Sequence, residues 1–278
     1  MFAAMDLKIT PKSLILSLLQ VSGKRSMPVK TLVCAGHIFG FTENTIRVAT
    51  TRLIREGTIE SDERGQYRLS SRGTLFSRYI ESWRAGEKRL VKWDGGWLCC
   101  WIPKTTARRR AEIRSAFGFV GFGEGLPNLW VRPDNLTLDR KELEKLICRI
   151  GKLEDGQMFV ARAFSENLIA SWRNNLWPVE AMCKKQKAHL AEMKKSTDRI
   201  EKMPLENALV ESFLVGSEAV RLLITDPMLP QEMADTGCRA ALHEAMLRYD
   251  ETGKRIWSKR FEEIRIDRAP TQCHMVAV

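Results

Sequence analysis

The sequence lacks any long hydrophobic run. No stretch of its 278 residues approaches the ~18 apolar residues that a membrane-spanning helix needs. The N-terminus shows no charged segment followed by an apolar one, so we expect no secretory signal peptide. With 44% hydrophobic residues and a mean hydropathy of −0.26, the composition is typical of a soluble globular chain large enough for two or three domains. We therefore expect a cytoplasmic protein with no membrane partner.

Cysteines at the spacing of a metal site are also missing. The seven cysteines are scattered without a C-x-x-C pair, and the four histidines do not accompany them. This pattern predicts neither a disulfide framework nor a zinc site, and a reducing compartment fits it best. The adjacent Cys99 and Cys100 lie in an apolar run and are interpreted as core residues of a strand, with oxidant sensing as the less favoured alternative.

The motifs of common enzyme classes are absent as well. The sequence contains no G-x-S-x-G or H-E-x-x-H motif, and no G-x-x-x-x-G-K-[ST] or G-x-G-x-x-G phosphate loop. The GFGEG run at 121–125 has neither phosphate-loop spacing and is predicted to be a plain turn. We predict no catalytic residue, no cofactor and no metal site, and hence a protein that is not an enzyme.

Positive charge is present in excess and is concentrated at one end of the chain. The 45 Lys and Arg residues outnumber the 34 Asp and Glu residues, which gives a formal net charge of +11. Residues 1–92 carry +8 of this charge, whereas residues 93–170 carry +2 and residues 171–278 carry +1. A basic module beside nearly neutral parts indicates a polyanion-binding domain. Charge that serves only solubility is the alternative.

Residues 1–92 are predicted to form a winged helix-turn-helix domain. Pro11 and Pro28 mark the starts of two helices, and Thr42 is a good N-cap for a third helix that Gly57 ends. Two short strands around a Gly-containing turn at 62–66 then predict a hairpin. In a winged helix-turn-helix domain the third helix enters the major groove, and the hairpin, or wing, contacts the backbone or the minor groove.

The outward face of the predicted third helix carries side chains that reach phosphates and base edges, with no acid among them. The candidate DNA-binding residues are Asn44, Thr45, Arg47, Thr51, Arg52 and Arg55 on this helix, with Arg64 and Arg68 on the hairpin. Two alternatives stay open. Arginine-rich helix faces are often merely solvated, and winged helices also dock other proteins.

The remainder of the chain divides into two further predicted domains, so that the fold class is α+β. Residues 93–170 follow the β-α-β-β-α-β order of a ferredoxin-like domain. Its strands are predicted at 97–102, 119–121, 129–131 and 158–164, and its helices at 106–118 and 138–150. Residues 171–278 are predicted to be helical, with helices at 177–200, 205–225 and 238–249. Balanced helices without catalytic groups suit dimerisation or ligand sensing.

Several runs, in order along the chain, match a known pattern. They are PKSLILSLLQ, FTENTIRVATTRLIREGTIES, RGQYRLSSRG, WDGGWLCCWIP, LWVRP and VRLLITDPMLP. Together they resemble the PaaX family, transcriptional repressors of phenylacetate degradation and related catabolic genes. The resemblance implies that Arg47 and Arg52 are the leading candidates for DNA contact, because both fall on the family's recognition-helix pattern. It also implies a homodimer on a palindromic double-stranded operator, released by an aromatic acyl-CoA such as phenylacetyl-CoA.

Three function hypotheses follow. The first is a repressor of catabolic genes, for which Arg221 is a speculative phosphate anchor for the effector, with a surface salt bridge as the alternative. The second is a metal-dependent nuclease, because the family's central domain resembles the ferredoxin-like nucleases of CRISPR adaptation. Here the strand ends at Trp101-Ile102-Pro103 without an acid to hold a metal, which favours a structural or dimerisation role. The third is a winged-helix module that binds protein.

Overall fold

The computed structural model describes residues 9–21, 26–62, 65–103, 105–151, 153 and 155–266. Over these residues the chain is a mixed α+β structure with two small antiparallel sheets. None of the described helices is long and apolar enough to cross a membrane.

The N-terminal part consists of three helices and a small sheet. Its elements are α1 (Pro11–Val21), β1 (Met27–Pro28), α2 (Val29–Ile38), α3 (Glu43–Arg55), β2 (Ile59–Ser61) and β3 (Gln66–Leu69), and the sheet has the strand order β1-β3-β2. Leu14, Leu32 and Leu53, one from each helix, are buried in a common apolar cluster. Thr42 Oγ1 accepts the N–H of Thr45 at 3.2 Å, so the predicted N-cap of α3 is confirmed.

An element that the sequence analysis did not predict follows β3. It comprises α4 (Ser71–Glu81) and a 3-10 helix (Ser82–Arg89). Ser70 Oγ accepts the N–H of Gly73 at 3.0 Å and thereby caps α4. Tyr79 packs in the apolar cluster of the central part of the chain, and Trp83 packs in that of the helical part. The apolar side chains of this element pack against segments that are distant in sequence, so the local sequence pattern does not indicate the element clearly.

The central part is a four-stranded antiparallel sheet with two helices. Its elements are β4 (Trp97–Trp101), α5 (Ala107–Phe119), β5 (Gly123–Leu126), β6 (Leu129–Pro133), α6 (Arg140–Gly151) and β7 (Gln157–Ala161). The strands lie in the order β5-β6-β4-β7. Phe117 and Trp130, with ring centroids 5.1 Å apart, pack in the cluster that joins α5 and α6 to the sheet.

The strand predicted at 119–121 is wrong, and so is the turn predicted at 121–125. Helix α5 extends to Phe119, and the GFGEG run supplies the start of β5. Val120 and Phe122 are buried, so the apolar run serves the core at the end of a helix. A short apolar run has the same pattern in a strand and in a buried helix end, which explains the error. Gly121, at φ +82°, makes the turn between the two elements.

The C-terminal part is helical. Its elements are α7 (Glu166–Asn175), α8 (Val179–Ile200), α9 (Leu205–Ile224) and α10 (Gly237–Ile266). Leu209 and Ala219 of α9 meet Leu242 of α10 in the core between the last three helices. Helix α7 spans the domain boundary predicted between residues 170 and 171. Its Trp172 packs against Trp97 of the central sheet, with ring centroids 5.0 Å apart.

One disulfide links α8 to α10, through Cys183 and Cys238, whose Cα atoms are 5.4 Å apart. The prediction that the cysteines form no disulfide is therefore wrong for this pair. The two residues are 55 positions apart in sequence, and only the packing of two helices brings them together. By contrast, Cys99 and Cys100 are free and buried in β4, as predicted. Burial raises the pKa of the Cys99 thiol to about 11 and that of Cys100 to about 12.

Candidate nucleic-acid interface

Helix α3 has a buried side and an exposed side. Ile46, Thr50 and Leu53 are buried, and they recur at the three- to four-residue spacing of one helix face. The exposed side carries Asn44, Thr45, Arg47, Val48, Thr51, Arg52 and Arg55. The structure thus places all six predicted helix residues on the solvent-facing side of α3.

Arg47 is engaged by an acid on its own helix. Its Nε donates to Glu43 Oε1 at 2.7 Å, so the expectation of an acid-free face is wrong. Glu43 lies one turn before Arg47, in the first turn of α3, where the helix dipole favours a carboxylate. Both side chains are more than half exposed, and an ion pair of this kind contributes about 1 kcal/mol or less. A phosphate can therefore replace Glu43 as the partner of Arg47 at little cost.

Arg52 and Arg55 present uncompensated charge. In the described part of the chain neither forms an ion pair, and both are exposed. The acid that follows them, Glu56, is bound by Lys12 Nζ at 2.6 Å. The C-terminal half of α3 therefore carries two guanidinium groups that are available to an anion.

The two threonines of the exposed side already make local hydrogen bonds. Thr51 Oγ1 donates to the carbonyl oxygen of Arg47 at 3.0 Å. Thr45 Oγ1 lies 2.8 Å from Thr42 Oγ1 at the N-cap. Their hydroxyl oxygens remain able to accept a further hydrogen bond, since each has two lone pairs.

The hairpin of β2 and β3 also carries a neutralised arginine. Arg68 and Glu60 are directly opposite each other across the two strands, and Arg68 Nε donates to Glu60 Oε1 at 2.7 Å. Gly65, at φ +67°, lies in the turn, where Asp62 Oδ1 accepts the N–H of Gln66 at 3.0 Å. Arg64 lies outside the described residues.

Val48 belongs to the exposed side of α3, and the sequence analysis did not select it. It is 43% exposed and lies four residues after Asn44 and three before Thr51. Val48 is apolar and so lacks the chemistry of the candidate residues, but the helical period alone places it on this side.

Arg221 lies on α9, outside this surface. Its Nε donates to Glu218 Oε2 at 2.6 Å, and the hydrogen bonds that Arg221 donates to Glu218 raise the pKa of Arg221. This is the surface salt bridge that the sequence analysis gave as the alternative to a phosphate anchor. Among the described residues, no cluster of His, Cys, Asp or Glu could hold a metal ion.

The comparisons with known proteins bear on the N-terminal part above all. Residues 10–73 match the PaaX family model, which is described as PaaX-like protein. The resemblance to the PaaX family is confirmed for these residues, which contain the first three of the runs on which it was stated. The PaaX-like segment contains α1 to β3 and so includes the whole candidate interface. Because PaaX-like proteins are transcriptional regulators, the match supports a role in transcription regulation.

A similar solved structure is the uncharacterized protein Rv0674 from Mycobacterium tuberculosis. It is 27% identical, with a TM-score of 0.56, over 90% of this chain and 100% of that one. A search of curated proteins finds no match.

Proposed function

We propose that the protein is a sequence-specific DNA-binding transcriptional regulator that represses catabolic genes. The observation that carries the proposal is the exposed side of α3, with Arg52 and Arg55 uncompensated, inside the PaaX-like segment. Three helices and a small antiparallel sheet, whose strands β2 and β3 form a hairpin after α3, support a winged helix-turn-helix domain over residues 1–92.

In this proposal α3 lies in the major groove. Arginine can bind guanine O6 and N7 in a bidentate manner, and asparagine can bind adenine N6 and N7, so Arg47, Arg52 and Asn44 are the candidates for base contact. Arg55 at the helix end and Arg68 on the hairpin would contact phosphates, and such contacts fix the position of a protein on the duplex. Arg68 would exchange Glu60 for a phosphate as its partner.

The remaining parts would pair two copies and sense a ligand. The strand order β5-β6-β4-β7 supports a ferredoxin-like domain over residues 93–170, and the helices of residues 171–278 suit dimerisation. A homodimer would place two copies of α3 on half-sites ~34 Å apart or a multiple of that. An aromatic acyl-CoA such as phenylacetyl-CoA would release the operator by changing that separation.

The test is binding to a duplex selected from random sequence and to the promoter fragments next to the gene itself. The double variant Arg47→Ala/Arg52→Ala should lose ~1–3 kcal/mol of binding free energy for each base-reading contact removed. Arg248→Ala is the matched control, because Arg248 is an exposed, ion-paired helical arginine outside the proposed interface. Equal binding by the double variant and the wild type would refute the role of α3.

Two further outcomes separate the alternatives. Affinity that falls steeply with salt and favours one sequence excludes a module that only docks protein. Cleavage of the duplex that depends on Mg²⁺ or Mn²⁺ would overturn the repressor proposal in favour of a nuclease. Addition of phenylacetyl-CoA to the complex should release the duplex. If neither it nor any other acyl-CoA releases the duplex, the proposed effector is refuted.

A further inference from the structure

Val48 is an apolar side chain on a polar, exposed helix side. It is 43% exposed, whereas Ile46 and Leu53 of the same helix are buried. It takes no part in the apolar cluster that holds α1, α2 and α3 together, in which half-buried residues such as Ala49 are included. Val48 is therefore not one of the core residues that hold these three helices together.

Its position on the helix is central. With about 100° per residue, Val48 lies between Asn44 and Arg52, at one turn from each, and beside Thr51 and Arg55. Any duplex that Asn44 and Arg52 contact must also meet Val48, because the three side chains form one row along the exposed side.

From this placement we infer that Val48 reads thymine, by packing its methyl groups against the C5-methyl group of one thymine in the major groove. The inference rests on the proposed function. Thymine presents the only methyl group among the four base edges of the major groove, so an apolar side chain there distinguishes T from C without a hydrogen bond. A valine in a helix has one strongly preferred χ1 rotamer, so its two methyl groups are held in place before the DNA arrives.

Ile54 provides the contrast within the same helix. It is also apolar and 39% exposed. It lies six residues after Val48, about a third of a turn away around the helix axis, and outside the row that Asn44, Val48 and Arg52 form. Ile54 is therefore the matched control for an exposed aliphatic side chain on α3 that does not read a base.

The experiment uses the full chain and its selected duplex, in which deoxyuridine replaces each thymine in turn. Deoxyuridine lacks only the C5-methyl group. Wild type should lose about fourfold in affinity at one thymine of each half-site, the factor that corresponds to one buried methyl group, and no more than marginally elsewhere. Val48→Ala should lose about fourfold in affinity for each half-site, and so about 16-fold for the unmodified duplex, because both copies of the homodimer lose the contact. It should be insensitive to deoxyuridine at that position. Ile54→Ala should keep the sensitivity of the wild type.

Each outcome decides a different point. If wild type binds the selected duplex and no single deoxyuridine changes its affinity, the thymine contact is refuted while the proposed function stands. If Val48→Ala keeps the full sensitivity, another side chain makes the contact and the inference is likewise refuted. Failure of the wild type to select any sequence refutes the proposed function itself. Equal melting temperatures of the two variants and the wild type, expected for exposed positions, show that folding is not the cause.

Discussion

At the scale of single residues, a buried hydroxyl pair tests the core of the helical part. Tyr249 Oη and Ser196 Oγ lie 2.7 Å apart, and both residues are buried. Burial raises the pKa of Tyr249 to about 12. We expect Tyr249→Phe to lower the free energy of unfolding by about 1–2 kcal/mol, because it leaves the Ser196 hydroxyl without this partner. Urea denaturation measures the change. The double variant Tyr249→Phe/Ser196→Ala should lose less stability than the two single variants lose in sum, because it leaves neither hydroxyl group without its partner. A loss equal to that sum would contradict this account.

A second residue-scale prediction concerns thiol reactivity. The reactive form of cysteine is the thiolate, and burial raises the pKa of Cys99 to about 11 and that of Cys100 to about 12. We expect both thiols to resist iodoacetamide in the folded protein near neutral pH, whereas the half-buried Cys34 is alkylated first. Peptide mass spectrometry of timed samples gives the order. Early alkylation of Cys99 or Cys100 would revive the hypothesis that they sense oxidants.

At the scale of elements, the disulfide between α8 and α10 supplies a prediction. It closes a loop with a sequence separation of 55 residues. In the chain-entropy model a loop of this length stabilises the folded state by about 4 kcal/mol, as an upper value. We expect Cys238→Ser to unfold at a lower temperature than the wild type. A dithiol reductant should lower the melting temperature of the wild type and leave that of Cys238→Ser unchanged.

Cys34→Ser is the control and should keep the response of the wild type to reductant. A wild-type melting temperature that does not change on reduction would contradict the prediction.

The elements also show how far the sequence predicts this fold. Helix α3 is predicted because its signals are local, namely the Thr42 cap, the buried Ile46 and Leu53, and Gly57 at its end. By contrast, the 3-10 helix that holds Trp83 depends on partners more than 100 residues away, which no local pattern reveals.

The same distinction holds for the candidate interface. The helical period places the six polar residues of α3 on one side, as the structure does. It also reveals the pair of Arg47 with Glu43, because the two residues are four positions apart on one helix. It could not show the ion pairs that join different elements. The pair of Arg68 with Glu60 depends on strand register, and the pair of Glu56 with Lys12 joins two helices. These partners decide which arginines carry free charge, and they are set by tertiary structure.

At the scale of the whole molecule, the segment after the hairpin connects the PaaX-like part to the helical part. Arg239 of α10 holds Glu87 of the 3-10 helix with an Nε–Oε1 distance of 2.9 Å and reaches Asp226 Oδ1 at 3.1 Å. Phe39 at the end of α2 contacts Phe213 of α9, with ring centroids 5.1 Å apart. The helical part is thus in direct contact with the segment that carries α3, and the proposed release of DNA by an effector would need such contacts.

A pH-dependent contact at this junction gives the last prediction. Arg84 of the 3-10 helix donates to Asp250 Oδ1 of α10 at 2.9 Å. Burial alone would raise the pKa of Asp250, but the hydrogen bonds from Arg84 and Lys254 outweigh it and hold the pKa below the ordinary 3.8. Because the folded pKa is the lower one, the stabilisation is fully present above the unfolded value and is lost as the pH falls through the folded value.

We therefore expect Asp250→Asn to reduce the free energy of unfolding by about 1 kcal/mol at neutral pH, since Arg84 is partly exposed. The difference from the wild type should shrink as the pH falls through the lowered folded pKa of Asp250, because the wild-type carboxyl group then also becomes neutral. Urea denaturation at neutral pH and at an acidic pH measures it. Glu244→Gln is the control, because Glu244 pairs with Arg248 in full solvent exposure on the same helix and should change stability by only a few tenths of a kcal/mol. A loss for Asp250→Asn that stays constant between the two pH values would mean that the carboxylate charge does not hold the 3-10 helix to α10.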